Sequence, residues 1–127
     1  MRGTSANAYH TLIQKHTLNP TSIENNKQIS FYLKRIDKLN EYSKRLKSTP
    51  IFITNIGSNG YDLNLYKYNQ SLINHCIIRK YKCIDLAKKI KPNIEYWYDD
   101  QHTTKKGSSV IAKLIFEDLK KIIAKKN

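Results

Sequence analysis

Apolar residues return at threes and fours along three stretches of this chain, and two short runs between them are apolar almost throughout. In the first stretch Ile29, Leu33, Ile36, Leu39, Tyr42 and Leu46 share one side, while Lys34, Asp37, Lys38, Glu41 and Lys44 fill the other. Thr21-Ser22-Ile23-Glu24 just ahead has the Thr-x-x-Glu form of a capping box. Pro50 disfavours helical geometry in the residue before it, so this helix is expected to end near Ser48-Thr49. Ile51-Phe52-Ile53-Thr54 then suits a strand buried on both faces, as in a parallel sheet. Gly57, Ser58, Asn59 and Gly60 make residues 55–62 a loop at its end. A second helix is expected over residues 63–80, with Leu65, Asn69, Leu72, Cys76 and Ile77 inward, followed by a strand over 82–86. Residues 87–101 are irregular, with Pro92 and the aromatic group Tyr96-Trp97-Tyr98. A last helix is expected over 105–125. Val110, Ile111, Leu114, Ile115, Leu119, Ile122 and Ile123 form its stripe, and Lys113, Asp118, Lys120 and Lys121 face away.

The order helix–strand–helix–strand–helix indicates an α/β domain with a parallel sheet. The 127 residues suit one small domain, taken here as a single unit over 1–127. Residues 3–20 are polar and without a clear period, and no internal repeat is visible. Two sure strands make a poor sheet for three helices to cover. Residues 1–3 read as the stub of a third strand, and a free edge there would template aggregation. The expectation is therefore an incomplete sheet of two to three strands, its edge covered by further upstream chain or by a second chain.

Composition changes this picture little. The formal net charge is +13, which fits a nucleic-acid or anionic-membrane partner. It also fits drift in an A- and T-rich coding sequence, because Lys, Asn and Ile make up 48 of the 127 residues. Lys outnumbers Arg 19 to 4 and is spread along the chain. Arg is the better reader of phosphates and bases, so drift is preferred and no specific nucleic-acid partner is expected. No apolar run reaches membrane-span length, and the first residues carry no signal-peptide core. Cys76 and Cys83 have apolar neighbours and no CxxC spacing, and they read as small buried hydrophobes. No cluster has zinc-ligand spacing, and no metal or organic cofactor is expected.

In open α/β sheets, ligands bind in the loops outside the carboxyl ends of the strands. Segments 3–9, 55–62 and 98–104 qualify. The last of these places Asp99 three residues before His102. A tight turn at that spacing brings the carboxylate to Nδ1, fixes the tautomer and leaves Nε2 free to take a proton from a hydroxyl. The competing reading is a solvated turn at a helix entry, with Thr103 or Thr104 as cap and Asp100 as a surface or capping acid. His10, His16 and His75 read as surface or satisfied histidines. Tyr96, Trp97 and Tyr98 either line a pocket beside His102 or pack their loop against the sheet.

The string Tyr98-Asp99-Asp100-Gln101-His102-Thr103-Thr104-Lys105-Lys106-Gly107 resembles the last block of SGNH (GDSL-type) hydrolases, Asp-x-x-His followed by a small or hydroxyl residue and a Gly. Pro50-Ile51-Phe52-Ile53-Thr54, Tyr68-Asn69-x-x-Leu72 and Cys83-Ile84-Asp85-Leu86 are similar to earlier parts of that family. The resemblance covers residues 50–123 well and 1–49 loosely. It implies the C-terminal part of a three-layer, flavodoxin-like domain acting on carboxylic esters, such as acylated glycans, lipid esters or other small molecules. The route would be an acyl-enzyme with His102 as base and Asp99 as its orienting acid. It also implies an oxyanion-hole Asn, for which Asn7 in Gly3-Thr4-Ser5-Ala6-Asn7-Ala8 is the candidate. There the Gly–Asn spacing is longer than the family's, and Ala8 replaces its Asp. None of the nine serines lies in Gly-Asp-Ser or Gly-x-Ser-x-Gly. Ser5 and Ser58 are loop serines on the expected active face, but neither opens a helix directly after a strand. The expectation is that the nucleophile lies outside this chain. The alternatives are a non-catalytic remnant of the fold and a basic nucleic-acid-binding protein.

Overall fold

A computed structural model describes residues 27–56, 63–91, 93–99 and 102–125. It is a mixed α/β arrangement, mostly helical, around a two-stranded parallel sheet. The capping box, residues 1–3 and the histidines at 10 and 16 lie outside the described residues.

Helix α1 (Lys27–Arg45) buries Ile29, Ile36 and Asn40. The expected apolar side is thus only half used: Leu39, Tyr42 and Leu46 are 54%, 60% and 78% exposed. Among the described residues the main partner of α1 is one helix, α2 (Leu63–Arg79), which covers a narrow stripe. Tyr32 meets Tyr68 edge-on at 5.1 Å. Asp37, expected on the outer face, turns inward to His75 and Tyr81. The helix stops earlier than Pro50 requires. Lys47 adopts φ 58°, Ser48 N–H donates to the Ser43 carbonyl at 2.8 Å, and Lys47 N–H donates to the Lys44 carbonyl at 2.9 Å. That is the left-handed Schellman ending, here without the usual glycine.

Strands β1 (Ile51–Ile53) and β2 (Lys82–Ile84) pair in parallel, with Phe52 opposite Cys83. Helix α2 makes the crossover. Thr54 N–H carries the ladder one step further, to the Ile84 carbonyl at 3.1 Å. The second strand ends two residues short of expectation, because Asp85 sits at the N-cap of a short helix, α3 (Leu86–Lys89). Leu86, expected at the end of the strand, and Ala87, expected in an irregular stretch, are buried there as helix residues.

On α2 the buried positions are Tyr66, Asn69, Ser71, Leu72 and Cys76, while Ile77 is 71% exposed and so departs from the expected inner set. Ile36, Leu72 and Cys76 form one core cluster, with Tyr32, Phe52, Tyr81 and Cys83 packed on it. Tyr66, Ala87 and Ile56 form a second. The cysteines are more than small hydrophobes, because Cys76 and Cys83 are joined as a disulfide between α2 and β2.

A 3₁₀ turn (Ile94–Tyr96) follows, and then helix α4 (Lys105–Ala124), which packs on β2, α3 and the 3₁₀ turn. Its stripe from Val110 to Ile122 is half-buried and Ile123 is exposed. Asp118, expected to face away, pairs with Lys89 of α3. Among the described residues, no helix is long and apolar enough to cross a membrane.

Candidate acid–base site

The chain leaves the carboxyl end of β2, forms α3 and the 3₁₀ turn, and then makes a tight hairpin before entering α4. Trp97 and Thr103 form an antiparallel bridge across that hairpin, and Tyr98 N–H donates to the His102 carbonyl at 2.8 Å. Asp99 and His102 are therefore brought together by main-chain pairing on either side of them.

The Asp99 carboxylate binds both the backbone and the ring of His102. Its Oδ1 accepts the His102 backbone N–H at 2.7 Å. The His102 ring Nδ1 lies 2.9 Å from Oδ1 and 2.7 Å from Oδ2. A carboxylate can only accept, so the proton of this contact belongs to Nδ1. In the neutral ring that leaves Nε2 as a base with an open lone pair, and it makes no hydrogen bond with the described residues. The two side chains are 74% and 58% exposed, so an incoming hydroxyl reaches Nε2 directly.

The hairpin is pinned to the start of α4. Thr104 is the N-cap: its Oγ1 accepts Gly107 N–H at 3.1 Å and donates to the Glu95 carbonyl at 2.6 Å. Thr104 N–H donates to the Tyr96 carbonyl at 2.8 Å. This decides between the two threonines named as caps; Thr103 Oγ1 instead meets Ser108 Oγ at 2.6 Å. Gly107 is buried against the 3₁₀ turn, where an added Cβ would stand 2.2 Å from the Tyr96 carbonyl oxygen. Lys106 pairs with Glu95 across the same seam. The hydrogen bond and charge of Lys106 hold the Glu95 carboxyl below the ordinary carboxylate range, and Glu95 raises the Lys106 ammonium in return. Of the aromatic group, Tyr96 serves through its carbonyl, Trp97 is half-buried in the bridge, and Tyr98 is 73% exposed next to Asp99.

Below the strand ends, two further locks were not foreseen from the sequence. Thr54, 2% exposed, donates to Asp85 Oδ1 at 3.0 Å and accepts Ala87 N–H at 2.9 Å. Asn69 clamps the Asn55 peptide, accepting its N–H at 3.1 Å and donating to its carbonyl at 2.6 Å. The helical period puts Asn69 on the inner side of its helix, but nothing in the pattern names its partner.

His75 is a satisfied histidine: Nε2 donates to Asp37 Oδ1 at 2.7 Å. Burial alone would raise the Asp37 carboxyl. The hydrogen bonds from Tyr81 and His75, with the charges of His75 and Arg79, outweigh it and hold that carboxyl below its ordinary value. The Tyr81 phenol is pushed up to about 12 by burial and by its bond to Asp37. Asn7, Ser5 and Ser58 lie outside the described residues. Among the described residues, no group of three or more His, Cys, Asp and Glu stands ready to hold a metal ion. Compared with known proteins, the chain matches no family model, no curated protein and no solved structure.

Proposed function

We propose that the chain is the acid–base portion of a serine ester hydrolase, specifically the C-terminal part of an SGNH-type domain with a three-layer, flavodoxin-like arrangement. The observation that carries this reading is the Asp99 carboxylate 2.7 Å from His102 Nδ1, on a hairpin pinned to α4, with Nε2 open to solvent. In the reaction, Nε2 takes the proton of a serine hydroxyl as the oxygen attacks the ester carbonyl. It then returns that proton to the leaving alcohol, and water repeats the cycle on the acyl-serine. Asp99 keeps the ring in the tautomer that accepts at Nε2 and stabilises the imidazolium while it lasts. Asn7 is the candidate donor to the oxyanion. The serine is carried outside these 127 residues, since no Gly-Asp-Ser occurs within them. Substrates on this reading are acylated glycans, lipid esters or other small esters.

The test uses the product of the whole gene and a fluorophosphonate probe, together with p-nitrophenyl esters. A serine is expected to be labelled and esters cleaved, with both lost in His102→Ala. Absence of labelling and cleavage, or labelling unaffected by His102→Ala, would overturn the proposal.

A further inference from the structure

Helix α1 turns Ile29, Ile36 and Asn40 inward. At about 100° per residue, Lys27, Lys34, Lys38 and Arg45 fall on the opposite side, within about 40° of one another around the axis. All four are exposed. Glu41 is the acid among them, since Asp37 turns to His75 and Tyr81. Beside this cationic row runs an apolar one. Phe31 is 59% exposed, Leu39 and Tyr42 are exposed with it, and Leu46 continues the row just past the last turn. Arg35 stands exposed within that row. The two rows touch. Lys34 Nζ lies 5.7 Å from the centre of the Phe31 ring, and the Arg45 guanidinium carbon lies 5.6 Å from that of Tyr42, both within cation–π reach. The lysines that look scattered along the chain are thus gathered by the helical period onto one face, next to aromatic and leucine side chains.

We propose that this face of α1 docks on the surface of an anionic lipid bilayer, with the helix lying in the plane of the interface. The two rows match the two layers of such a surface. The apolar row sinks toward the acyl boundary, and the cations keep their heads among the lipid phosphates while their alkyl stems cover apolar surface. The net charge of +13 draws the chain to a negative surface from a distance, and the rows decide which face lands. A nucleic acid would meet the cations but leave Leu39 and Leu46 in water. It would also find one face of each aromatic ring taken by a cation of the same helix, where bases would otherwise stack. An acidic protein partner would have to supply an apolar groove rimmed with carboxylates, whereas an anionic bilayer offers both layers to any helix that lies on it.

The experiment is co-sedimentation of the full chain with vesicles of phosphatidylcholine alone or mixed with phosphatidylglycerol. Binding is expected on the mixed vesicles, to be at least about tenfold weaker on phosphatidylcholine, and to fall as salt is raised. Lys34→Ala with Lys38→Ala is expected to weaken binding by about 25-fold, about fivefold for each cation. Leu39→Ser with Leu46→Ser is expected to weaken it by about tenfold. Lys113→Ala with Lys120→Ala removes the same charge from exposed sites on α4 and is expected to cost less than about twofold. Urea melts check that these surface variants keep the fold. In Phe31→Trp the added indole is expected to be quenched by brominated lipid, above the background set by Trp97, the single tryptophan of the unaltered chain. No binding to the mixed vesicles, or equal binding to phosphatidylcholine, would overturn the proposal. So would a loss in the α4 variant equal to that in the α1 lysine variant, or an indole left unquenched in Phe31→Trp. Tighter binding to single-stranded RNA that survives the serine substitutions would overturn it in favour of a nucleic-acid partner. The lipid preference of the unaltered chain decides the matter even if a variant does not fold.

Discussion

Replacing Gly107 by alanine tests the seam that holds the Asp99–His102 hairpin on α4. The new Cβ would stand 2.2 Å from the Tyr96 carbonyl oxygen, 2.8 Å from its Cα and 2.9 Å from its carbonyl carbon. All three are backbone atoms, so no side chain can swing aside, and the 3₁₀ turn must back away by about 1 Å to restore ordinary contact. Overpacking of this kind costs about 1–3 kcal/mol. Retreat also stretches the bonds from Thr104 N–H to Tyr96 and from Thr104 Oγ1 to Glu95, each worth about 1 kcal/mol net. Against this, alanine in place of glycine in a helix returns at most about 1 kcal/mol. The contact wins, and the net loss is about 2 kcal/mol. For a domain of this size that lowers Tm by about 7 °C. Urea melts of Gly107→Ala against the unaltered chain measure it. Ser109→Ala, an exposed site two residues further along the same helix, is the propensity control and should stabilise by a few tenths of a kcal/mol. Spectra of the His102 ring should shift in Gly107→Ala and stay in place in the control. Equal or higher stability of Gly107→Ala would refute the close approach of the turn to the helix.

Thr54→Val keeps the volume but strands the buried Ala87 N–H and one acceptor of Asp85. It should cost about 1–3 kcal/mol in urea melts, and a neutral result would show the lock to be idle. The Asp37–Tyr81 pair makes stability depend on pH at both ends. The folded carboxyl sits below its unfolded value, so its contribution holds above about pH 4 and is lost as pH falls through the folded value. The folded phenol is raised to about 12, so its contribution holds below about pH 10 and fades between about 10 and 12. The stability difference between the native chain and Tyr81→Phe should shrink across that alkaline window; a constant difference would contradict the placement of Tyr81. Lys47→Gly removes a left-handed lysine, relieving about 1–2 kcal/mol against about 0.5–1 kcal/mol of extra chain entropy. Melts should show a gain of about 0.5 kcal/mol, and a loss would argue against that ending of α1. Asp99→Ala should change stability by less than about 0.5 kcal/mol, since the pair is exposed. On the proposed function, it should cut kcat of the ester-cleaving protein by about 10³–10⁴-fold.

The chain's own pattern determined the three long helices and the two strands, though not the short helix Leu86–Lys89 or the 3₁₀ turn Ile94–Tyr96. It also determined that Asp99 meets Nδ1 of His102, because that contact spans three residues and needs only a tight turn. Helix starts at 63 and 105 and the two strand positions were legible for the same reason: period, β-branching and a cap are local signals. The ends near 80 and 125 were legible to within a residue; the end of α1 was not, because Lys47 takes the left-handed conformation, for which its residue type carries no signal. Nor was the inward side of a helix wholly legible. Leu39, Leu46 and Ile77 fit the apolar stripe, yet they stand exposed because α1 and α2 cover each other along only a narrow strip, and Asp37 turns inward to partners 38 and 44 residues away. The cysteine link, the Thr54–Asp85 lock and the Gly107–Tyr96 contact share that character. Each depends on where two distant backbones come to rest, which packing decides and a linear pattern does not record. The same holds for the hairpin's exposure: the sequence paired Asp99 with His102, and only the packing of α4 against the 3₁₀ turn left Nε2 facing solvent.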